Sequence, residues 1–372
     1  MQKYRKKTKL LAISTENITF ALNIADDQMQ RVNWIDWAKT MAVCSVVFCH
    51  LPQSQEWFYY RYLQAVTITI FFFISGFLKK DHGNHQANWK KYWHGLILPY
   101  MLYNAIVYPY WLLRYYLQYH GMPDATEALK PIIGTLLFEH QGPFAEPLNG
   151  SLWYLPAILF MHIIIDLCQK TRYLHQIMIG LCIISYFLYV ANKQWEFMHS
   201  LTPMGIFRRL PYYYLGYVIG QKQLYRSIHQ KREVIGLGIG LITSILLFDW
   251  HLHEDNLWLH TIFFYPLNLG ALWGVLSLCR LLDSYKLTPI INLSVGTLVI
   301  IGLHSIVIGG INFGVEHYLG QVGAVCYHWY EAFPTTLIII TLLYPVIIFG
   351  KKQAPILLGK DKNYGNGTGQ KQ

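Results

Sequence analysis

The stretch RVNWIDWAKTMAVCSVVFCH, residues 31–50, decides the fold. From Trp34 on it is long and apolar enough to cross a bilayer, yet it carries Asp36, Lys39 and His50. Ionisable groups inside a membrane span are costly, so they mark function by default. On a helix, eleven residues at about 100° each bring His50 back to within roughly 20° of Lys39, with about 16 Å between them along the axis. Asp36 falls about 40° to the other side of His50. One face therefore presents an acid, a base and an imidazole. Taken singly, Lys39 reads as a snorkelling lysine and His50 as an outer-end cap. That reading accounts less well for the shared face.

The rest of the chain agrees with a membrane span here. Of 372 residues, 53% are hydrophobic and 13% are charged, against about 25% charged in a soluble domain. The expectation is an all-α, polytopic integral membrane helix bundle. The net charge is +10, but the lysines and arginines fall in short groups between apolar segments. That is the pattern of cytoplasmic loops, not a nucleic-acid-binding patch. The six cysteines form no C-x-x-C pair, so neither a disulfide framework nor a zinc site is expected. His251, His253, Glu254 and Asp255 cluster in one loop without metal-ligand spacing, and no metal site is expected there. The basic N-terminus is followed by too short an apolar core for a cleavable signal peptide.

Apolar segments at 34–52, 58–78, 94–117, 151–168, 175–192, 207–221, 233–250, 258–279, 288–311 and 334–350 predict about ten transmembrane helices. The segment 207–221 is short, and 94–117 is interrupted by Pro99 and Pro109. With the N-terminus inside, the inner loops carry Lys79, Lys80, Lys90 and Lys91; Lys170 and Arg172; Lys222, Arg226, Lys231 and Arg232; Arg280 and Lys286; and Lys351, Lys352 and Lys360. The outer loops carry Glu56, Asp124, Glu127, Glu139, Glu146, Glu196, Glu254, Asp255, Glu316 and Glu331. This asymmetry follows the positive-inside rule and predicts cytoplasmic tails at 1–30 and 351–372 around a membrane domain of 31–350. Lys39 then lies toward the inner side and His50 toward the outer side. The longest loop, 118–150, is external.

No Walker loop, G-x-S-x-G or H-E-x-x-H is present. The segment Ile35 to Lys39, continuing through Val46 to His50, resembles the first helix of the membrane acyltransferase-3 family. That helix has a basic residue, ten intervening residues and a histidine. Arginine is common at the basic position; lysine, as here, occurs in fucose 4-O-acetylase-like members. Phe71 to Phe77 (FFFISGF) is similar to the family's second motif. Weaker echoes are Leu98-Pro99-Tyr100, Ser151 to Leu155, Tyr214 to Tyr217, and Gly296-Thr297-Leu298 leading to His304. The glutamate that some polysaccharide O-acetylases carry after their Ser-Leu segment is absent near Leu155, so its role does not transfer.

The resemblance covers roughly 31–350. It implies acyl transfer from cytoplasmic acyl-coenzyme A, acetyl-CoA or another short acyl donor, to a carbohydrate or lipid-linked glycan at the outer face of a bacterial cytoplasmic membrane. It implies no permanently bound cofactor. Membrane lipids surround such a chain, and self-association into a homo-oligomer is compatible with it. In this frame His50 is a general base for the attacking hydroxyl, since imidazole titrates near neutrality. An acyl-His50 relay is the variant. Lys39 holds the donor's phosphates or meets oxyanion charge, and Asp36 orients or neutralises Lys39. Ser75 and Gly76 either admit the acyl-pantetheine arm or pack helices. Arg208 and Arg209 either bind an anionic substrate group or snorkel. Trp153 either stacks on a sugar or joins the aromatic belt. His304 either shares the cavity with His50 or is a satisfied buried histidine. A glycan transporter or exporter is the rival function. A structural partner of a synthase complex would not need Lys39 and His50 on one face.

Overall fold

A computed structural model of the chain describes residues 32–53, 58–80, 85–138, 148–196, 201–223, 229–250, 257–318 and 325–360. The first tail, Glu56, Glu139, Glu146, Arg226, the loop cluster His251, His253, Glu254 and Asp255, and positions 361–372 lie outside them. Thirteen α-helices follow in order among the described residues. They are α1 (Asn33–His50), α2 (Phe58–Phe77), α3 (His85–Tyr92), α4 (Leu98–Tyr119), α5 (Ala125–Leu136), α6 (Tyr154–Cys168) and α7 (Leu174–Trp195). They continue with α8 (Leu201–Gln221), α9 (Gln230–Trp250), α10 (Leu257–Leu281), α11 (Thr288–Val295), α12 (Thr297–Tyr318) and α13 (Trp329–Lys352). No strand occurs among the described residues. Six helical segments (88–119, 150–168, 174–195, 257–281, 297–318 and 329–352) are long and apolar enough to cross a membrane. This is a multi-pass, all-α membrane protein.

Helix α1 is not among those six. It carries Asp36 and Lys39 and buries residues on most of its circumference, from Trp34 and Asp36 to Val47 and Cys49. It sits inside the bundle, where neighbouring helices take the place of lipid.

Three expectations about span boundaries change. The segment around 207–221 is not short: α8 begins at Leu201 and runs through Pro211. Pro99 and Pro109 do not interrupt the segment around 94–117. A π-turn at Trp93–Ile97 precedes Pro99, and the Leu98 N–H donates to Trp93 O, one residue further back than in an α-helix. The widened turn absorbs the backbone mismatch that proline imposes, so the helix continues. The segment 288–311 is two helices, α11 and α12, meeting at Gly296.

Small residues set the closest helix contacts. A Cβ on Gly76 would fall 2.0 Å from Tyr213 O, and one on Gly216 would fall 2.1 Å from Phe73 O. Helices α2 and α8 therefore touch backbone to backbone. Helices α9 and α10 do the same where Gly240 faces Gly274, a Cβ on Gly240 falling 2.3 Å from Gly274 Cα. In lipid, where apolar burial does not drive association, such close packing does.

Buried ion pairs tie helices together. Lys79 Nζ donates to Asp166 Oδ1 at 2.5 Å and to Tyr92 Oη at 2.6 Å, and Tyr92 Oη–H donates to Asp166 Oδ2 at 2.6 Å. This triangle joins the ends of α2, α3 and α6. Between α9 and α10, Arg280 Nε donates to Glu233 Oε1 at 3.0 Å, both side chains being fully buried.

The chain's last third seats α1. Val32 offers no capping side chain, and a first turn has unsatisfied N–H groups. Asp283 Oδ1 supplies an acceptor for Trp34 N–H at 2.7 Å. Asn33 Nδ2 donates to Asp283 O and Tyr285 O, Thr40 Oγ1 to Ile290 O, and Ser294 Oγ to Asp36 Oδ1 at 2.6 Å.

Candidate functional site

Asn149 builds the centre of the site. It is 2% exposed. Its Nδ2 donates to Gly302 O at 2.8 Å, and its Oδ1 accepts from Ser151 N at 3.1 Å. An asparagine bonding the backbone two residues on is a standard way to hold a turn. Here it fixes the 3₁₀ turn Gly150–Trp153 against α12. The turn brings Ser151 in front of His304, two residues past Gly302.

His50 approaches the same serine from the end of α1. Its Nε2 lies 3.1 Å from Ser151 Oγ, and His304 Nε2 lies 3.4 Å from it. The two imidazoles meet edge to face with centroids 4.8 Å apart. His50 is the exposed member and His304 is fully buried.

The second nitrogen of each ring settles its tautomer. His50 Nδ1 is 2.7 Å from Val46 O, and His304 Nδ1 is 3.0 Å from both Ile300 O and Ile301 O. A carbonyl only accepts, so in both rings Nδ1 carries the hydrogen and Nε2 carries a lone pair. Two basic lone pairs thus converge on one hydroxyl. That hydroxyl has one hydrogen and serves one of them at a time.

Beyond Ser151 the same turn places Trp153. Its ring fills the space over Gly205, where a Cβ would fall 1.9 Å from the ring, and lies 6.0 Å from Phe72. The Arg209 guanidinium stands 5.4 Å from the Trp153 ring. Arg208 stands 4.4 Å from Phe264 and 5.5 Å from Tyr189. Among the described residues neither arginine has a carboxylate partner. Arg209 Nε is buried without a hydrogen-bond partner.

The other sequence candidates are spread along the bundle. Lys39 is half-buried on α1, about 16 Å from His50 along the axis. Asp36 is 5% exposed and holds Ser294. Ser75 is half-buried. The close approach that Gly76 permits is that of α8, so this face of Gly76 is taken by helix packing.

Three features were not singled out in the sequence. Ser151 stood there only as part of a motif echo. Asn149 had one available signal, the Asn-Gly pair that favours a turn. The Lys79–Tyr92–Asp166 triangle had none, because its members lie far apart in the chain. His162 Nδ1 meets Tyr213 Oη at 2.5 Å beside it, and the His162 and Tyr92 rings lie 5.3 Å apart.

No curated protein and no solved structure matches the chain. A family model does, described as an acyltransferase domain, over residues 32–350. That range takes in α1 with Lys39 and His50, the Ser151 turn and His304. The chain belongs to the acyltransferase-3 family.

Proposed function

We propose that the protein is a transmembrane O-acyltransferase. It moves an acetyl or similar short acyl group from cytoplasmic acyl-CoA to a hydroxyl of a carbohydrate at the outer face of a bacterial cytoplasmic membrane. The observation that carries this reading is the pair of Nδ1-locked imidazoles converging on one hydroxyl. A hydroxyl is a weak nucleophile until a base takes its proton. His50 is the exposed base with its lone pair in place.

In the proposed reaction the Ser151 hydroxyl turns its hydrogen to His304, which frees His50 Nε2. His50 takes the acceptor's proton as the acceptor oxygen bonds to the thioester carbonyl. The carbon–sulfur bond breaks, and the thiolate leaves with a proton from His50. During this step Ser151 accepts from the His50 imidazolium while donating to His304. Lys39 lies too far from His50 to touch the reacting carbonyl, so it is assigned to the donor's phosphates. The intervening 16 Å or so is the path of the donor's extended arm. A glycan exporter would have no use for bases held in one tautomer.

The test uses purified protein, acetyl-CoA and an outer-face glycan acceptor. His50→Ala is expected to lower turnover at least about a hundredfold with donor binding intact. Lys39→Ala is expected to raise the donor KM with a smaller effect on kcat. Normal transfer by His50→Ala would overturn the base assignment, and glycan flux through vesicles without any acyl donor would favour the exporter.

A further inference from the structure

On the lipid side of α8 lies a cavity of about 820 Å³ between α7, α8 and α10. Its walls are almost wholly apolar, including Ile179, Ile183, Phe187, Leu215, Val218 and Ile262. From Pro211 to Lys222 on α8 it runs about 16 Å, near half of a bilayer's hydrocarbon core. Its shape and chemistry fit a hydrocarbon chain.

The arginine pair does not line this groove, but Arg208 stands just beyond its Pro211 end. Arg208 precedes Pro211 by one turn on α8, and its contact Tyr189 follows the groove residue Tyr186 by one turn on α7. Its other contact, Phe264, is next to the groove residue Tyr265. Tyr265 joins the two regions. Its ring lines the groove, and its hydroxyl is buried without a partner. Among the described residues no acid stands beside these two adjacent arginines, and one buried N–H of Arg209 is unbonded, which makes the pair a place for an anion. On the other side Arg209 leads over Trp153 to the Ser151 turn and His50.

We infer that the acceptor is a lipid phosphate bearing the carbohydrate. Its hydrocarbon chain lies in the groove, its phosphate sits on Arg208 and Arg209, and its sugar is carried over Trp153 toward His50. This rests on the acyltransfer reading for the sugar's fate, but the binding itself does not need a donor. The charge at the other end of the groove, Lys222 with His175 nearby, would instead suit the headgroup of an ordinary inner-leaflet phospholipid. The arginine pair, the unbonded Arg209 Nε and the path to Ser151 favour the first occupant.

The experiment measures binding of a polyprenyl phosphate to the full chain in lipid nanodiscs, by native mass spectrometry and thermal shift, with no acyl donor. The free polyprenol and a water-soluble sugar phosphate serve as comparisons. The polyprenyl phosphate is expected to bind at least tenfold tighter than either. Arg208→Gln with Arg209→Gln should abolish that advantage, while Arg208→Lys with Arg209→Lys retains part of it. Ile183→Trp and Val218→Trp, at groove-lining positions, should weaken the polyprenyl phosphate and leave the soluble sugar phosphate unchanged. Lys222→Gln should change nothing. Binding that depends on Lys222 but not on the arginines would identify an inner-leaflet phospholipid and overturn the proposal. Equal binding of the soluble sugar phosphate would overturn it too. Acetyl-CoA turnover separates the two readings. Lipid-phosphate binding without any turnover sinks the acyltransfer reading alone, and turnover without lipid-phosphate binding sinks this one alone.

Discussion

Lys79→Met is the sharpest test of how the ends of α2, α3 and α6 are held together. The Lys79 and Asp166 side chains are 3% and 8% exposed. Removing the lysine leaves a carboxylate in a nearly dry site. Breaking a buried pair from one side costs about 3–5 kcal/mol. Here the lower end applies, because Tyr92 still donates to Asp166 Oδ2 at 2.6 Å and Gln169 lies 3.4 Å from Oδ1. The expected loss is about 3 kcal/mol, or roughly two decades in the folded-to-unfolded ratio. Lys79→Met with Asp166→Asn removes both charges and keeps an acceptor for the Tyr92 hydroxyl. It should recover at least about half of that loss. The assay is equilibrium unfolding in mixed micelles followed by tryptophan fluorescence. A single-variant loss below about 1 kcal/mol, or a double variant no better than the single, would refute the claim that this buried ion pair holds the helix ends together.

Two further outcomes follow from the geometry. Gly76→Ala puts a methyl group 2.0 Å from Tyr213 O; since backbone cannot move aside cheaply, it should cost at least about 2 kcal/mol, and wild-type stability in the same unfolding assay would contradict the α2–α8 contact. His304→Ala leaves the Ser151 hydrogen no partner but His50, so turnover should fall about tenfold with donor KM unchanged, and adding Ser151→Ala should restore part of it. Simple additivity of the two losses in steady-state kinetics would rule out the shared hydroxyl.

How much of this was legible in the sequence depends on the distance between interacting residues. The class of fold was readable, since long apolar runs between basic and acidic loops have little other use. Lys39 and His50 were readable because both lie on one helix and periodicity alone relates them. Pro99 misled because proline's usual effect is to break a helix, whereas here a π-turn takes up the mismatch. Gly76 carried two readings because a glycine in a span permits close approach by anything; only the position of Tyr213 shows that the approaching group is a helix. Ser151, Asn149 and the Lys79–Asp166 pair depend on contacts between residues far apart in the chain, and no local pattern records those. Asn149 and Gly302, for example, are 153 positions apart.

The seating of α1 by Asp283, Ile290 and Ser294 has a consequence for how the protein is made. The helix that carries His50 is the first of the bundle to leave the ribosome, yet its first turn finds its acceptor some 250 residues later. Synthesis proceeds at about 5–20 residues per second, so α1 waits many seconds in the membrane with Asp36 lacking its Ser294 bond. During that interval it is held by the insertion machinery and by whichever of the intervening helices have already been made. The helix that carries His50 thus emerges early among the described helices and is among the last of them to be locked in place. A chain ending at Leu281, the last residue of α10, would contain every residue of the first motif without the partners that seat it.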